Sequence, residues 1–289
     1  MGLLSRIAAV VGTLGLGLAG TMSRALAQTA GQPTEWGMSF QGSATALMDQ
    51  LVNFHSLLLW IIIAITLFVL GLMIYVAIRF RAAANPKPSK TTHNTLVEII
   101  WTAVPILILV LIAIPSMKLL YAQEQIPETD MTVKVTGSQW YWNYQLENPG
   151  KGSFSFDSYM LDDEEAKAAG LPRLLGVDNP LVLPVDTSVR VLLTASDVIH
   201  AFALPSFGVK KDAVPGRLNE LWISPIREEG IYYGQCSEIC GTGHSFMPIM
   251  IKVVSKAEYQ QWLDSAYEEF AAVEAPEAAV QLADASKSR

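Results

Sequence analysis

The sequence has little charge and almost no cysteine. Asp, Glu, Lys and Arg make up 16% of its 289 residues and hydrophobic residues 51%, a balance that excludes an ordinary soluble protein and predicts membrane segments. Positive charge is scarce in residues 122–289, where 13 Lys and Arg stand against 24 Asp and Glu. Because nucleic acid requires basic patches, this acidity excludes a nucleic-acid partner and favours a basic protein partner. The two cysteines lie four residues apart, at positions 236 and 240.

The first 27 residues predict a cleavable signal peptide. Arg6 supplies the positive start, Ile7 to Gly20 form an apolar run, and Ala25-Leu26-Ala27 is a small-x-small cleavage site. The alternative is a third membrane helix, but the glycine-rich apolar run is short for one. Cleavage would leave Gln28 as the first residue and would send the following domain out of the cytoplasm.

Two longer apolar runs predict a pair of transmembrane helices within the N-terminal segment 28–121. They cover about residues 55–80 and 96–121, and each is long enough to cross a bilayer. The turn from Arg79 to Lys90 carries four positive charges and no negative ones, which places it in the cytoplasm. Both mature termini are therefore expected on the outer side of the membrane.

Residues 122–255 predict an all-β domain. Turn residues separate short β-prone runs, which is typical of a sandwich or barrel. An acidic surface insertion is expected at Asp162–Leu171, and residues 256–289 are expected to form a helix followed by a disordered tail. The predicted strands are Met131–Thr136, Trp140–Leu146, Leu181–Val185, Val189–Ala195, Leu218–Ile223, Ile231–Gln235 and Pro248–Val254.

The segment between the last two predicted strands carries metal-ligand chemistry. It contains Cys236, Cys240, His244 and Met247, and His200 lies just past an earlier predicted strand. Thiolate, imidazole and a weak thioether ligand together suit a copper ion that passes electrons, and two sulfurs with two imidazoles predict a dinuclear centre. A disulfide would explain neither the histidine nor the methionine, and a zinc site would leave Met247 unused.

Several motifs resemble subunit 2 of the cytochrome c oxidases of the haem–copper superfamily. The resemblance runs from about Met48 to Leu263, and the leader makes the chain similar to bacterial, proteobacterial members. It implies a two-helix membrane hairpin followed by a cupredoxin-like Greek-key β-sandwich. The motifs are Trp101-Thr-Ala-Val-Pro-Ile, Gln139-Trp-Tyr-Trp142, Ser155-Phe-Asp-Ser-Tyr-Met160, Val214-Pro-Gly-Arg-Leu-Asn219 and Tyr233-Gly-Gln-Cys-Ser-Glu-Ile-Cys-Gly-Thr-Gly-His-Ser-Phe-Met-Pro248.

The resemblance implies a role for each residue of the copper segment. Cys236 and Cys240 would bridge two coppers, and His200 and His244 would each bind one. Met247 would be an axial ligand. Glu238 would offer its backbone carbonyl to copper, and its side chain would reach a magnesium ion shared with the large subunit, for which a carboxylate oxygen is suited.

The resemblance also implies residues that serve electron and proton transfer. Trp140 would be the point at which electrons from cytochrome c enter, with Asp178, Asp197 and Tyr141 in the docking surface. If Trp140 and Trp142 lie in one alternating strand, they face one side and Tyr141 the other. A further docking position is Gln145 here rather than an acid, although Glu147 is close in sequence.

Glu98, near one end of the second span, would lie by the entrance of a proton-uptake path in the large subunit; an interfacial acid is the alternative. The expected function is the electron-accepting subunit of a proton-pumping oxidase in the bacterial inner membrane. Its partners would be the haem-bearing subunit 1 that reduces oxygen, further oxidase subunits, cytochrome c and membrane lipid. The competing function is a membrane-anchored copper carrier or storage protein, which would prefer exposed ligands and would not need Trp140.

Overall fold

The computed structural model describes residues 31–271. The predicted leader at 1–27 and the part of the predicted tail after residue 271 lie outside the described residues. The described chain divides into two compact units. One is helical and covers residues 49–125; the other holds the residues up to 48 and those from 126 onward.

The helical unit contains the two predicted spans. Helix α1 covers Ala46–Arg79 with 34 residues, and α2 covers Thr95–Glu124 with 30. Both exceed the roughly 20 residues that a bilayer crossing needs. Helix α2 begins where Asn94 accepts hydrogen bonds from the backbone N–H groups of Leu96 and Val97, which satisfies two donors of the first turn. Helix α1 starts earlier than the predicted residue 55, whereas α2 starts close to the predicted residue 96, and the basic segment from residue 80 to 94 connects them.

The second unit is a β-sandwich of two five-stranded sheets, as predicted. The strands are β1 Met131–Ser138, β2 Tyr141–Asn148, β3 Gly152–Ser158, β4 Leu181–Pro184, β5 Val189–Ala195, β6 His200–Leu204, β7 Val209–Ala213, β8 Asn219–Ile223, β9 Gly230–Cys236 and β10 Pro248–Val254. The first sheet has the order β3-β2-β1-β5-β8 and the second the order β4-β10-β9-β6-β7. Strand β1 pairs with β5 and β4 with β10 in parallel, and the other pairs are antiparallel.

The core lies between the inner faces of the sheets. Strand β5 alternates buried and half-buried residues along its whole length, as a strand with one face in the core must. Across the interior, Trp142 of β2 meets Phe202 of β6 edge-on, with ring centroids 5.3 Å apart, and both side chains are fully buried. This contact joins the two sheets near the end of the sandwich that carries the predicted metal ligands.

Two predictions about strand positions were wrong, and both concern site residues. Strand β2 begins at Tyr141, so Trp140 lies in the turn after β1 rather than in a strand with Trp142. His200 is the first residue of the unpredicted strand β6, whereas it was expected in a loop after β5. Its position is therefore fixed by backbone pairing with Ala213 of β7.

The segment before α1 is fastened to the sandwich, which the sequence did not indicate. The carbonyl of Gly31 accepts a 2.9 Å hydrogen bond from the N–H of Tyr233 in β9. Further along, the N–H of Ala44 donates to Ser206 at 2.9 Å, and the carbonyl of Ala44 accepts from Arg227 at 3.1 Å. These bonds make residues 31–45 part of the β unit.

Two short helices complete the β unit. Helix α3, Asp163–Ala168, forms the predicted surface insertion, and only Ala166 of it is buried. Helix α4, Lys256–Phe270, confirms the predicted helix and begins with a capping box between Ser255 and Glu258. It buries Leu263 and Ala266 on its inner face.

Candidate metal centre

The segment Cys236–Met247, called the metal loop below, leaves the end of β9 and returns to the start of β10, as predicted. Two hydrogen bonds fold it tightly: the N–H of His244 donates to Gly241 at 3.2 Å and that of Phe246 donates to Gly243 at 2.8 Å. The resulting 3₁₀ turn, His244–Phe246, brings its histidine and the following Met247 back toward the cysteines.

The loop gathers the predicted donor atoms into one cluster. Sγ of Cys236 lies 3.8 Å from Sγ of Cys240, which lies 3.6 Å from Nδ1 of His244 and 3.5 Å from Sδ of Met247. The backbone carbonyl oxygen of Glu238 lies 3.4 Å from Sγ of Cys236. The side chain of Glu238 is exposed, and among the described residues its carboxylate does not belong to this cluster.

His200 reaches the same cluster from the neighbouring strand. Its Nδ1 lies 3.9 Å from Sγ of Cys236, and the ligand atoms of His200, Cys236 and Cys240 all fall within 4.8 Å of one another. Phe202 of β6 pairs with Cys236 of β9, so strand pairing sets this approach. The structure therefore brings all five predicted side-chain donors together.

A carboxylate fixes the orientation of His200. Oδ1 of Asp197 lies 2.9 Å from Nε2 of His200, which leaves Nδ1 to face the sulfurs. Although burial alone would raise it, the hydrogen bonds from His200 and from the backbone of Val198 and Gln139 hold the pKa of Asp197 below its ordinary value. From the sequence, Asp197 was expected only in the docking surface, and its three-residue spacing to His200 was the available signal of this second contact.

The two thiols are free and buried, and they differ in acidity. Burial opposes ionisation of Cys236, but hydrogen bonds involving His200 and the backbone of Glu238 outweigh it and lower the pKa of this thiol. Burial and then the negative charge of Cys236 raise the pKa of Cys240. Without a cation between them, the pair therefore favours one thiolate and one thiol. The 3.8 Å separation also excludes a disulfide in this structure, since that bond is about 2.05 Å long.

The donor set fits copper better than zinc. Met247 is 1% exposed and its sulfur stands beside Cys240, so a thioether belongs to the cluster. Soft sulfur ligands with imidazole select copper, whereas structural zinc sites take cysteine and histidine alone. Because the cysteines are only 7% and 3% exposed and His200 is fully buried, these donors are shielded from solvent, whereas His244 is half-buried.

Trp140 lies directly against the metal loop. Its indole Nε1–H donates a 3.2 Å hydrogen bond to the carbonyl of Cys240, and the side chain remains partly exposed. Trp142 differs, because it is fully buried and donates from Nε1 to the carbonyl of Met247 at 3.2 Å. The two tryptophans thus hold opposite parts of the loop, one from the surface and one from the core.

The other predicted docking residues lie at the surface. Asp178 is exposed, and its Oδ1 accepts from the backbone N–H groups of Tyr159 and Asn179 at 2.8 and 2.6 Å. Tyr141 stacks on Tyr159 with ring centroids 4.7 Å apart, so Tyr159 links both predicted residues. Gln145 is half-buried in β2.

Glu98 lies in the first turn of α2, in the other unit. Its N–H donates to the carbonyl of Asn94 at 3.0 Å, and its carboxylate stands at the helix N-terminus, where the dipole favours negative charge. Its predicted role in proton uptake stays a prediction.

The chain is similar to proteins of one family along most of its length. A family model described as cytochrome c oxidase subunit II, periplasmic domain, matches residues 131–254, and the transmembrane-domain model of the same subunit matches residues 33–119. A probable cytochrome c oxidase subunit 2 from Rickettsia bellii is 52% identical over 236 residues, which cover 82% of this chain and 86% of the relative. Subunit 2 from Oenothera berteroana is 43% identical and covers 80% and 91%.

A crystal structure of the periplasmic domain of subunit II of cytochrome oxidase from Bradyrhizobium japonicum is 52% identical. The match covers 50% of this chain and 99% of the Bradyrhizobium japonicum chain, with a TM-score of 0.46.

Proposed function

Because the chain belongs to the cytochrome c oxidase subunit II family, we propose that it accepts electrons from cytochrome c and passes them to a haem-bearing oxidase subunit. The observation that carries this proposal is the cluster of two thiols, two imidazoles and one thioether at one end of the sandwich, in which every donor residue except the half-buried His244 is buried. The chain itself is the electron-accepting part of the oxidase, and reduction of oxygen to water, coupled to proton pumping, belongs to the partner subunit.

The cluster would hold two coppers. Cys236 and Cys240 would bridge them, His200 and His244 would bind one each, and Met247 and the carbonyl of Glu238 would complete the set. When bound by these residues, copper would supply reversible one-electron chemistry. The protein contributes a fixed frame, since His200 and Cys236 lie at the ends of β6 and β9 and the other donors lie in the loop that joins β9 to β10.

Burial of the donors argues against the carrier alternative. A carrier or storage protein must release its metal, which favours exposed and exchangeable ligands. Here both cysteines and Met247 are buried, His200 is completely buried behind Asp197, and His244 is half-buried. A relay has the opposite requirement, because a shielded site with fixed ligands keeps its geometry when its charge changes.

Electrons would enter the chain at Trp140. Its indole is partly exposed and touches the carbonyl of a copper ligand, so it joins the surface to the site in one contact. The excess of acidic residues from 122 onward would attract a basic cytochrome c, and Asp178, Asp197 and Tyr141 would lie in the docking surface.

The remaining roles follow from chemistry and topology. The exposed Glu238 carboxylate would bind the magnesium ion shared with the large subunit, and Glu98 would stand at the entrance of a proton path. The basic connection between α1 and α2 would lie in the cytoplasm, which puts the copper unit on the periplasmic side of the bacterial inner membrane.

A metal count and an EPR spectrum of the purified full chain test the copper assignment. We expect two coppers per chain and one unpaired electron shared equally by both nuclei. Cys240→Ser should abolish this signal, whereas Ser245→Ala, an exposed change in the same loop, should preserve it. One copper with a single-nucleus hyperfine pattern would contradict the dinuclear site.

A further inference from the structure

Hydrogen bonds tie Trp140 and its neighbour Gln139 to the metal loop. The carbonyl of Cys240 accepts from Nε1 of Trp140 at 3.2 Å and from Nε2 of Gln139 at 2.8 Å. The backbone N–H of Gln139 also donates to Oδ2 of Asp197 at 2.7 Å. The indole is thus directed at one particular carbonyl, that of a cysteine in the donor cluster.

Gly243 leaves the space in which this indole lies. A Cβ atom placed on residue 243 would stand 2.2 Å from Cδ2 and 2.4 Å from Cγ of Trp140, far inside the contact distance of two carbons. These atoms belong to the rigid ring system and not to a flexible chain end. A methyl group at this position would therefore have to displace the whole ring.

The backbone of Gly243 does not itself require glycine. Its φ of −91° and ψ of 11° are angles that L-residues adopt. Gly241 differs, because its φ of +120° lies where side chains are strained. At position 243 the missing side chain provides room for Trp140. A substitution at this position therefore tests packing against the indole and not backbone strain.

We propose that Gly243 is a positioning residue for electron transfer through Trp140. This inference rests on the proposed function and adds the reason that the indole lies so close to the site. With glycine at 243, the indole N–H of Trp140 reaches the carbonyl of Cys240. Within Cys240, this carbonyl is joined to the sulfur through Cα and Cβ. In the net step reduced cytochrome c gives up one electron and the bound copper gains it, so the indole ends unchanged.

Gly243→Ala tests the inference, with Thr242→Ala as the matched control because Thr242 is the exposed neighbour in the same loop. The first readout is the indole N–H signal of Trp140 in the full metal-free chain labelled with ¹⁵N-tryptophan, assigned by its absence in Trp140→Phe. We expect Gly243→Ala to shift this signal and speed its exchange with solvent, and Thr242→Ala to leave it unchanged.

The second readout is electron transfer from reduced cytochrome c in the assembled oxidase. We expect Gly243→Ala to lower the rate at saturating donor about tenfold or more, since misplacement by about 1 Å can cost up to a hundredfold. Copper content and the KM for cytochrome c should not change. An unchanged indole signal and rate, or loss of copper from an otherwise folded chain, would overturn the inference.

The double variant Trp140→Ala/Gly243→Ala keeps the test valid if Gly243→Ala alone fails to assemble. If the indole is what excludes the methyl group, the double variant should match Trp140→Ala in assembly, copper content and rate. A further loss beyond Trp140→Ala would assign Gly243 to the loop itself and overturn the proposal. Normal transfer in Trp140→Ala would instead contradict the proposed route of electron entrance, whatever Gly243 does.

Discussion

The carboxylate of Asp197 lies 2.9 Å from Nε2 of His200, on the opposite side of the imidazole from the two cysteines. The same carboxylate accepts hydrogen bonds from the N–H groups of Gln139 and Val198. Asp197 therefore connects a metal donor to the turn that carries Trp140, in addition to any contact it makes with a partner at the surface.

Loss of the Asp197 carboxylate should weaken copper binding. Asp197→Ala frees the His200 ring to rotate, and removal of such a partner typically lowers metal affinity about 10- to 100-fold. Competition with a copper chelator measures the effect. Asp178→Ala is the control, because that carboxylate accepts from backbone N–H groups and touches no donor. Equal affinities in the two variants would leave Asp197 with a docking role alone.

Copper affinity should rise with pH. Near neutral pH the depressed pKa of Cys236 favours its thiolate and the raised pKa of Cys240 keeps its proton, so binding must release that proton. We expect an increase of about tenfold per pH unit between pH 7 and 9. The slope of copper affinity against pH should become steeper toward lower pH, where Cys236 and His200 are protonated as well. A flat affinity over this range, measured with a pH-independent competitor, would contradict the assignment of the thiols.

Met247→Leu should keep both coppers and change their properties. Leucine fills a similar volume, at a typical cost below about 1.5 kcal/mol, but it removes the sulfur that lies 3.5 Å from Sγ of Cys240. The reduction potential and the visible and EPR spectra should shift as the weak axial ligand is lost. Met250→Leu is the control, since Met250 is also buried but packs with Tyr233 and Leu175. An identical spectrum in both variants would remove Met247 from the ligand set.

Trp142→Ala should destabilise the β unit. The side chain is fully buried against Phe202, and such a truncation costs about 3–5 kcal/mol in the free energy of unfolding. Trp36→Ala, at a side chain that is 96% exposed, should cost no more than about 0.5 kcal/mol. Urea unfolding of the detergent-solubilised chain, followed by circular dichroism, compares the two. A cost below about 1 kcal/mol for Trp142→Ala would mean that the core refills the space, which such cores rarely do.

The sequence was sufficient for the parts of the fold that are governed by local patterns. Long apolar runs predicted α1 and α2, and two strand predictions, Val189–Ala195 and Pro248–Val254, match β5 and β10 residue for residue. Strand β6 was missed because four of its five residues are buried and leave no alternating pattern, and β7 was missed because it carries three charged residues at a sheet edge. Strand β3 was missed although Phe154 and Phe156 alternate with small polar residues, a readable signal of a strand.

The composition of the candidate site could be predicted, but not its supporting contacts. Four of its side-chain donors lie within one loop, so their spacing in the sequence was sufficient to predict them. Gly243 beneath the indole and the fastening of Gly31 to β9 both join residues that are distant in sequence. Such contacts arise from the tertiary fold and leave no periodic pattern in the chain.

The separation of His200 from the other donors has a consequence for folding. The four donors of the metal loop are neighbours in sequence and can meet a metal ion even in an unfolded chain. His200 is 36 residues from Cys236 and joins them only when β6 lies beside β9. A ligand stabilises the native state only by the affinity it lacks for the unfolded one. In the proposed site, bound copper would therefore stabilise the native pairing of these two strands chiefly through the imidazole of His200, which would make that histidine the thermodynamic link between metal binding and closure of the sandwich.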